Sequence, residues 1–417
     1  GINGQVVDEN AEPLAGATVV AVHQPTGSQF GAITGEKGFF HLPNMNVGGP
    51  YKITVSYVGY ENFEQDLIYL TLGQTFQINV ELGISEVALA EVEIVGRRVK
   101  EFDVFDGNRT GAETVLGPDE IGDLPSVNRN LSDFIRMTPQ AIVDGNGAIS
   151  IAGINNRYNA ISFDGAVNND VFGLSPTGTN GGQTNGNPIS MDAIEQFQIT
   201  LAPYDVRQSG FAGASINAVT RSGSNTATGS AYYFFRSEAI AGKTPTDNES
   251  VERIRLPEFR SHTLGFRVGG PMIKNKLFFF INGERKREQT PKPFDFAQYN
   301  GDTQDEAAIR AIAGKLIGEF GYDPGTYLDK TDELHSDMLI GRIDWNINRK
   351  HKMTFRHSYT KLVALKTNSS SSRAINFLNN ALFLPSVTNS SALQLKSNFP
   401  GSANDLVIGF TTVRDDR

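Results

Sequence analysis

The chain's 417 residues allow two or three domains, and 39% hydrophobic against 20% charged residues leaves enough apolar surface for a sizeable core. The absence of cysteine excludes a disulfide framework and thiolate metal sites, and a net charge of −9 without a long basic run excludes a nucleic-acid backbone as partner. Glycine, at 43 residues, favours turn-rich β structure over helical bundles.

The longest strongly apolar run, Leu277–Ile281, is far shorter than the ~20 residues of a spanning helix, so a membrane location implies a barrel. Gly1-Ile2-Asn3-Gly4 reads as the edge of a folded domain, with no signal peptide, as expected of an exported protein in mature form. The last residues, Asp405–Arg417, read as a strand with nothing to close it, as expected of a piece of something larger.

Residues 1–83 alternate with a period of two: Ile53, Val55 and Tyr57 against Thr54 and Ser56, then Phe76, Ile78, Val80 and Leu82. Turn signals at Glu12-Pro13 and Gly35–Gly38 separate the strands, and one apolar face per strand predicts a small β-sandwich. His23 and His41 have no ligand partner at zinc spacing and read as ordinary polar residues. Residues 84–110 form a connector in which Glu91, Val92, Glu93, Ile94 and Val95 make a short β-prone run before Arg97, Arg98 and Lys100. That run reads equally as a last sandwich strand, a plain linker, or a strand offered to a partner's sheet edge.

Residues 111–224 read as a mixed α+β unit. Helix starts are predicted at Pro118–Ile121 and Asn130–Ile135, strands at Ile149–Ile151 and Ala160–Phe163, and a helical turn at Met191–Phe197 feeding the strand Gln198–Leu201. The polar, Gly-rich stretch Asn168–Pro188 is expected to be an exposed functional loop. Asn168, Asn169 and Asp170 are its candidate ligand-facing residues; their spacing fits no calcium loop, and no metal is expected. Asp164-Gly165 reads as a structural turn.

In residues 225–417, strands with an apolar and a polar face predominate. Leu264, Phe266 and Val268 oppose Thr263, Gly265 and Arg267; Leu339, Ile343, Trp345 and Ile347 oppose Arg342, Asp344 and Asn346; Met353, Phe355 and Tyr359 oppose Thr354, Arg356 and Ser358. A soluble sandwich would not accept inward arginines without partners, whereas a water-filled or plugged barrel would, with the aliphatic residues towards lipid. Short connections at Gly270–Asn275 and Asn348–His351 alternate with long ones at Arg236–Glu258, Arg285–Leu334 and Lys361–Thr388, the rule for periplasmic turns and extracellular loops. Within the second long loop Asp305–Phe320 has a helical stripe expected to pack on its own loop. Roughly seven strands are expected, too few to close a plugged transporter of about 22. The fold class is therefore mainly β: an N-terminal β-sandwich, an α+β plug and a partial antiparallel transmembrane β-barrel.

Residues 1–83 resemble the carboxypeptidase-regulatory-like domain, without peptidase ligands. Asn130–Pro139 (NLSDFIRMTP), Ile151–Asp170 and above all Ser190–Asn225, ending INAVTRSGSN, resemble the TonB-dependent receptor family, whose plug ends in this pattern before the first barrel strand. A regulatory-like domain ahead of the plug resembles the Bacteroidota type, and APYDVRQSGF the Oar-like, OmpA-related branch more than the SusC-like glycan importers. The resemblance implies an outer-membrane protein of a Gram-negative bacterium with its N-terminal domain in the periplasm. It places Glu91–Val95 where the TonB box lies, the strand grasped by the TonB energy transducer and its inner-membrane proton-motive complex. It implies that Arg157, Arg207 and Arg221 of the plug pair with carboxylates of the wall, and that Arg267, Arg342 and Arg356 face the plug.

No G-x-S-x-G, H-E-x-x-H or phosphate-cradling loop is present, and no cofactor or enzymatic activity is expected. The expected function is energy-coupled uptake of a large peptide, protein or oligosaccharide through plug movement, with outer-membrane lipid, an extracellular ligand and a surface lipoprotein as partners. The alternatives are an export or display receptor of the same architecture and a surface adhesin or glycan-binding β protein.

Overall fold

The computed structural model describes residues 1–84, 113–201 apart from 125, 127, 145 and 146, then 210–243, 253, 255–301, 305–399 and 401–416. The candidate strand Glu91–Val95, nearly all of the connector and Arg207 lie outside the described residues.

The N-terminal domain consists of β1 (Ile2–Asp8), β2 (Thr18–His23), β3 (Ser28–Ile33), β4 (Phe39–Leu42), β5 (Gly48–Ser56), β6 (Phe63–Leu70), β7 (Phe76–Gln77) and β8 (Val80–Leu82). One sheet runs β4-β1-β7 with β8 also paired to β1, and the other runs β3-β2-β5-β6. Their inward residues, among them Ile2, Val6, Val19, Tyr51, Ile53, Val55 and Ile68, form a core made only of this domain's side chains. The alternation in sequence therefore becomes two faces packed together, the arrangement that period-two strands require.

The plug consists of β9 (Glu113–Leu116), α1 (Pro118–Asp123), α2 (Leu131–Ile135), β10 (Ala141–Val143), β11 (Ile149–Ile151), β12 (Ala160–Phe163), β13 (Ala166–Val167), β14 (Ile194–Thr200) and β15 (Ser215–Thr220). Its main sheet has the order β13-β12-β15-β14-β9, with β12 and β15 parallel. The predicted helical turn at 191 is a single 3-10 turn, Met191–Ala193, after which the strand begins at Ile194, four residues before the predicted start. Nearly every residue of β14 is buried, so no polar-face alternation marks where it begins.

The wall consists of β16 (Thr228–Ser237), β17 (Arg260–Ile273), β18 (Leu277–Lys292), β19 (Lys330–Asn346), β20 (His351–Lys366), β21 (Leu382–Phe399) and β22 (Ser402–Asp415), each antiparallel to the next in chain order. Leu264, Phe266, Leu339, Ile343 and Phe355 are exposed on one face, while Arg356, Ile340 and Phe280 are buried on the other, against the plug. Connections at 274–276, 347–350 and 400–401 are short and all lie at one end; those at 238–259, 293–329 and 367–381 are long. The strands run 14 to 18 residues from β17 to β22, beyond the ~9–11 that cross a bilayer. They thus absorb segments such as Arg285–Lys292 that read as loop. Cross-strand ion pairs carry the ladder past the apolar band: Arg287 donates to both Asp337 oxygens at 2.8 Å, and Lys292 lies 2.8 Å from Asp332.

In the second long connection α3 (Glu306–Phe320) buries only Ile309 of its stripe, and Ile312, Ile317 and Phe320 remain exposed. Packing onto its own loop is therefore confined to one turn, where Tyr327 is buried and donates to Glu306.

The plug–wall interface as candidate functional site

β12 ends in Asp164 and Gly165, both in the left-handed region at φ 49° and 77°. This turn brings the Asp164 carboxylate beside the end of the parallel strand β15, where it accepts from Thr220 N at 2.9 Å and Thr220 Oγ1 at 2.8 Å. Two wall arginines converge on it. Arg356 Nε stands 3.1 Å from Asp164 Oδ2, an ion pair without hydrogen-bond alignment, and Arg356 also donates to the Phe163 carbonyl at 3.3 Å. Arg342 Nη1 lies 3.4 Å from Asp164 Oδ1 and donates to the Thr220 carbonyl at 2.7 Å. Arg342 and Arg356 face each other in register across β19 and β20. Like charges directly opposite repel, and here two carboxylates offset them, Asp164 from the plug and Asp344 from the wall, the latter bonded to Arg342 at 2.8 Å and to Thr354 at 2.8 Å. Remove the plug and Arg356 loses its counter-ion.

A second contact centres on Asp192. Arg267 of β17 lies 3.8 Å away and Arg129 of the plug 3.5 Å away. Arg129 also lies over the Tyr232 and Phe234 rings of β16, at 5.4 and 4.7 Å. Glu284 of β18 accepts from Ser190 at 2.9 Å and from Tyr232. Three wall strands thus hold the segment that enters β14.

Of the plug arginines, Arg221 pairs with Glu195, a plug residue, at 3.3 Å, and Arg157 is exposed with no ion pair to the wall among the described residues. The ion pairs across the boundary run from the wall arginines Arg267, Arg342 and Arg356 to the plug carboxylates Asp192 and Asp164, and not from the plug arginines Arg157 and Arg221 to the wall. In sequence Asp164 reads only as a turn, and nothing marks Asp192, Glu195 or Glu284 as a partner. An Asp-Gly turn signal hides a second use of the carboxylate, and its partners lie far away in the chain.

The stretch Asn168–Pro188 corrects another expectation. Thr179, Asn180 and Thr184 are almost fully buried, and the loop lies against the wall rather than in solvent. Thr360 donates to the Pro188 carbonyl at 3.0 Å and Lys366 to the Gln183 carbonyl at 2.6 Å. Leu362 packs on Gly181 and Gly186 so closely that a methyl group on Gly186 would come within 2.7 Å of it. A loop so polar can be buried because many of its polar groups are paired within it, although Asn168 Nδ2 and Asn180 Oδ1 have no partner among the described residues. Asn168 is buried and accepts from Asn180; Asn169 bridges Ile161 N and the Asn159 carbonyl at 2.8 and 2.7 Å; Asp170 caps Phe172 N and Ser175 N at 2.9 and 2.6 Å. Those three residues brace the loop, which exposes an apolar tip at Val171, Phe172 and Leu174.

Towards the long-loop end of the wall, plug and wall enclose a cavity of about 620 Å³ lined by Asn130, Asn185, Asn187, Thr179, Lys286 and Asp332 among others. Its lining mixes amides and hydroxyls with charged groups, of which Lys286 and Glu288 pair with each other at 2.6 Å. Among the described residues no group of three or more His, Asp or Glu side chains is placed to hold a metal ion.

The architecture has counterparts among known proteins. Residues 1–83 match the carboxypeptidase regulatory-like domain, residues 108–216 the TonB-dependent receptor plug domain, and residues 219–300 an outer membrane beta barrel domain. The chain is 27% identical over 371 residues to the TonB-dependent transporter Oar of Myxococcus xanthus, a match covering 85% of this chain and 33% of that one. Among solved structures, the siderophore receptor PirA of Acinetobacter baumannii superposes with a TM-score of 0.51 at 19% identity, over 73% of this chain and 40% of the receptor. The ferric enterobactin receptor PfeA of Pseudomonas aeruginosa gives 0.52 at 15% identity, over 73% and 41%. These superpositions establish the fold, and the chain spans about a third of the length of its Myxococcus relative. The relatives are a transporter and receptors, not enzymes. An aliphatic outer face, short turns on the periplasmic side and a plug inside the wall place this protein in the outer membrane. A carboxypeptidase regulatory-like domain, a TonB-dependent receptor plug domain and an outer-membrane barrel region thus follow one another in that order along the chain.

Proposed function

We propose that the receptor takes up a large hydrophilic ligand, a peptide, protein or oligosaccharide, by energy-coupled displacement of the plug. The observation that supports this most is the Arg342, Arg356 and Asp164 cluster. The plug is held to the wall there by charge and hydrogen bonds, contacts that a directed pull can break and water can replace. A uniformly hydrophobic seam would resist such exchange. The ligand class is supported by the polar cavity, whose amides, hydroxyls and charged groups suit a hydrophilic, hydrogen-bonding ligand. The apolar tip at Val171, Phe172 and Leu174 offers a contact for a less polar part of it. The solved relatives named as siderophore receptors keep a smaller, iron-bearing ligand in play as an outcome of the test.

In this reading Glu91–Val95 is the TonB box, gripped as an added strand by the periplasmic transducer, and a surface lipoprotein assists at the extracellular side. The likeness to Oar supports the Oar-like branch, and the regulatory-like domain ahead of the plug supports the Bacteroidota type. The test is to purify the full-length receptor from its native membrane, identify what co-purifies, and follow energised uptake of that compound. Val92→Pro or Ile94→Pro removes a ladder donor and is expected to abolish uptake while leaving binding intact. Unchanged uptake would move the transducer contact elsewhere. Release of the compound in place of uptake would favour an export receptor.

A further inference from the structure

We propose that the N-terminal domain is a latch, seated on the periplasmic rim of the barrel and on the underside of the plug, which must leave that seat before the plug moves. The inference rests on the plugged-receptor reading above and adds a regulatory contact to it.

At each short connection of the wall, an asparagine in the turn or at the adjoining strand end meets the domain. Gly27 approaches Asn275 so closely that a methyl group added at Gly27 would stand 3.2 Å from Asn275 Cβ. Ser28 Oγ donates to Asn346 Oδ1 at 3.0 Å. Asn44 donates to Asn398 Oδ1 at 3.1 Å, and Asn398 donates back to the Pro43 carbonyl at 3.4 Å. The plug is touched too. Leu72 N donates to Gln196 Oε1 at 2.8 Å, and Gln196 is a buried residue of β14, next to the strand β9 by which the chain enters the plug. Asn225, between the last plug strand and the first wall strand, donates to the Pro25 carbonyl at 2.7 Å. Plug and wall are therefore both tied to one body beneath them, and β14 cannot shift against β19 without breaking a contact.

The chemistry of the seat is that of a reversible contact. Among the described residues no ion pair joins the domain to the rest, and the hydrogen bonds are between neutral groups, each weak in net terms because water replaces it on opening. Docking also buries Lys352. Its Nζ stands 3.0 Å above the centre of the Phe30 ring and has no hydrogen-bond partner among the described residues. The ring recovers part of the ammonium's lost hydration, and undocking restores the rest. One contact thus works against the others, which keeps the seat releasable.

The chain has no cysteine, so engineered pairs report without interference. Gly27→Cys with Asn275→Cys places two Cβ atoms near the ~3.5–4.5 Å that a disulfide spans. Because Gly27 has φ +63°, Ser28→Cys with Asn346→Cys serves as a second pair. The full-length receptor in planar bilayers, with potassium chloride as the current carrier and urea to loosen the plug, gives the readout. At the urea concentration that half-opens the reduced form, oxidation is expected to lower the open fraction roughly tenfold or more. Lys352→Met is expected to shift opening the same way, and to have no effect once residues 1–84 are removed. If neither pair oxidises, or if oxidised and reduced forms open alike, the latch is wrong while the plugged receptor stands. If no urea concentration opens the channel, the plugged-receptor reading itself fails, and the latch with it.

Discussion

Arg356 and Asp164 meet 3.1 Å apart at the plug–wall boundary, the arginine 1% exposed and the aspartate 9%. A buried pair of this kind adds little net stability over a well-packed apolar pair, yet breaking it from one side strands a charge. It fixes where the plug sits and makes that position sensitive to single changes.

Asp164→Asn is expected to loosen the plug by about 3–5 kcal/mol, since Arg356 keeps its charge and Arg342 keeps only Asp344. Asp164→Leu should cost at least as much, and combining it with Arg356→Met should recover much of that loss. Urea midpoints for plug release in the four proteins of the double-mutant cycle give the coupling, and additive effects would show that the two residues do not interact.

Placing arginine on the outer face tests the wall's orientation. Leu339→Arg or Phe355→Arg should cost about 2–4 kcal/mol near the bilayer midplane, while Arg267→Leu on the inner face should leave membrane insertion unchanged. Heat-modified mobility of the refolded full-length receptor reports insertion, and equal losses on both faces would contradict the assignment.

Gly223, in the RSGSN end of the plug pattern, stands against main chain: a methyl group there would lie 2.4 Å from the Phe279 carbonyl oxygen and 2.8 Å from that of Gly270. Backbone cannot swing aside as a side-chain tip can, so Gly223→Ala should cost about 1–3 kcal/mol by overpacking. Gly122→Ala, where nothing lies within 4 Å, is the control. The two variants should separate clearly in thermal unfolding of the receptor.

The N-terminal domain has a core of its own, and residues 1–84 expressed alone are expected to unfold in one cooperative step. In the whole chain, His23 gives the domain's unfolding a pH dependence. Its ring is buried and bonded to Thr26 at 2.7 Å, and burial, helped by nearby Lys352, lowers its pKa from 6.5 to about 4. The unfolded chain then takes up a proton that the folded one refuses. Stability is full above pH 6.5 and falls as pH drops towards 4, by up to about 3 kcal/mol. His23→Gln should flatten the profile over that window in urea titrations at fixed temperature. A profile unchanged by the substitution would assign the loss to other groups.

Much of the wall was legible because a barrel strand writes its two environments into alternate residues. Leu264 and Arg267, or Ile343 and Arg342, carry opposite chemistry because lipid and plug lie on opposite sides. Strand ends were not legible, since past the hydrocarbon both faces of Arg285–Lys292 are polar. The burial of Asn180 and Thr184 was hidden for a related reason, as hydrogen bonds inside a loop leave no pattern in composition. Asp164 reads as half of a turn until its distant partners are in place, and the same holds for Asp192 and Glu284. What sequence conveys is each residue's immediate surroundings; which carboxylate meets which arginine is decided by how plug and wall are nested.

The hydrophobic cluster inside the plug includes Phe280 and Ile340, which belong to β18 and β19. Consequently the plug has no complete interior until those strands arrive, and a cylinder already closed would be too late to supply them, because a folded plug cannot enter it. Among the described residues the strands of the wall pair only with their chain neighbours, so each hairpin can be laid down beside the plug as synthesis and insertion proceed. Assembly then runs as wrapping, with the plug as the former around which the sheet is drawn. A variant that weakens Phe280 or Ile340 should therefore show its first defect in how receptors mature, ahead of any defect in how finished ones behave.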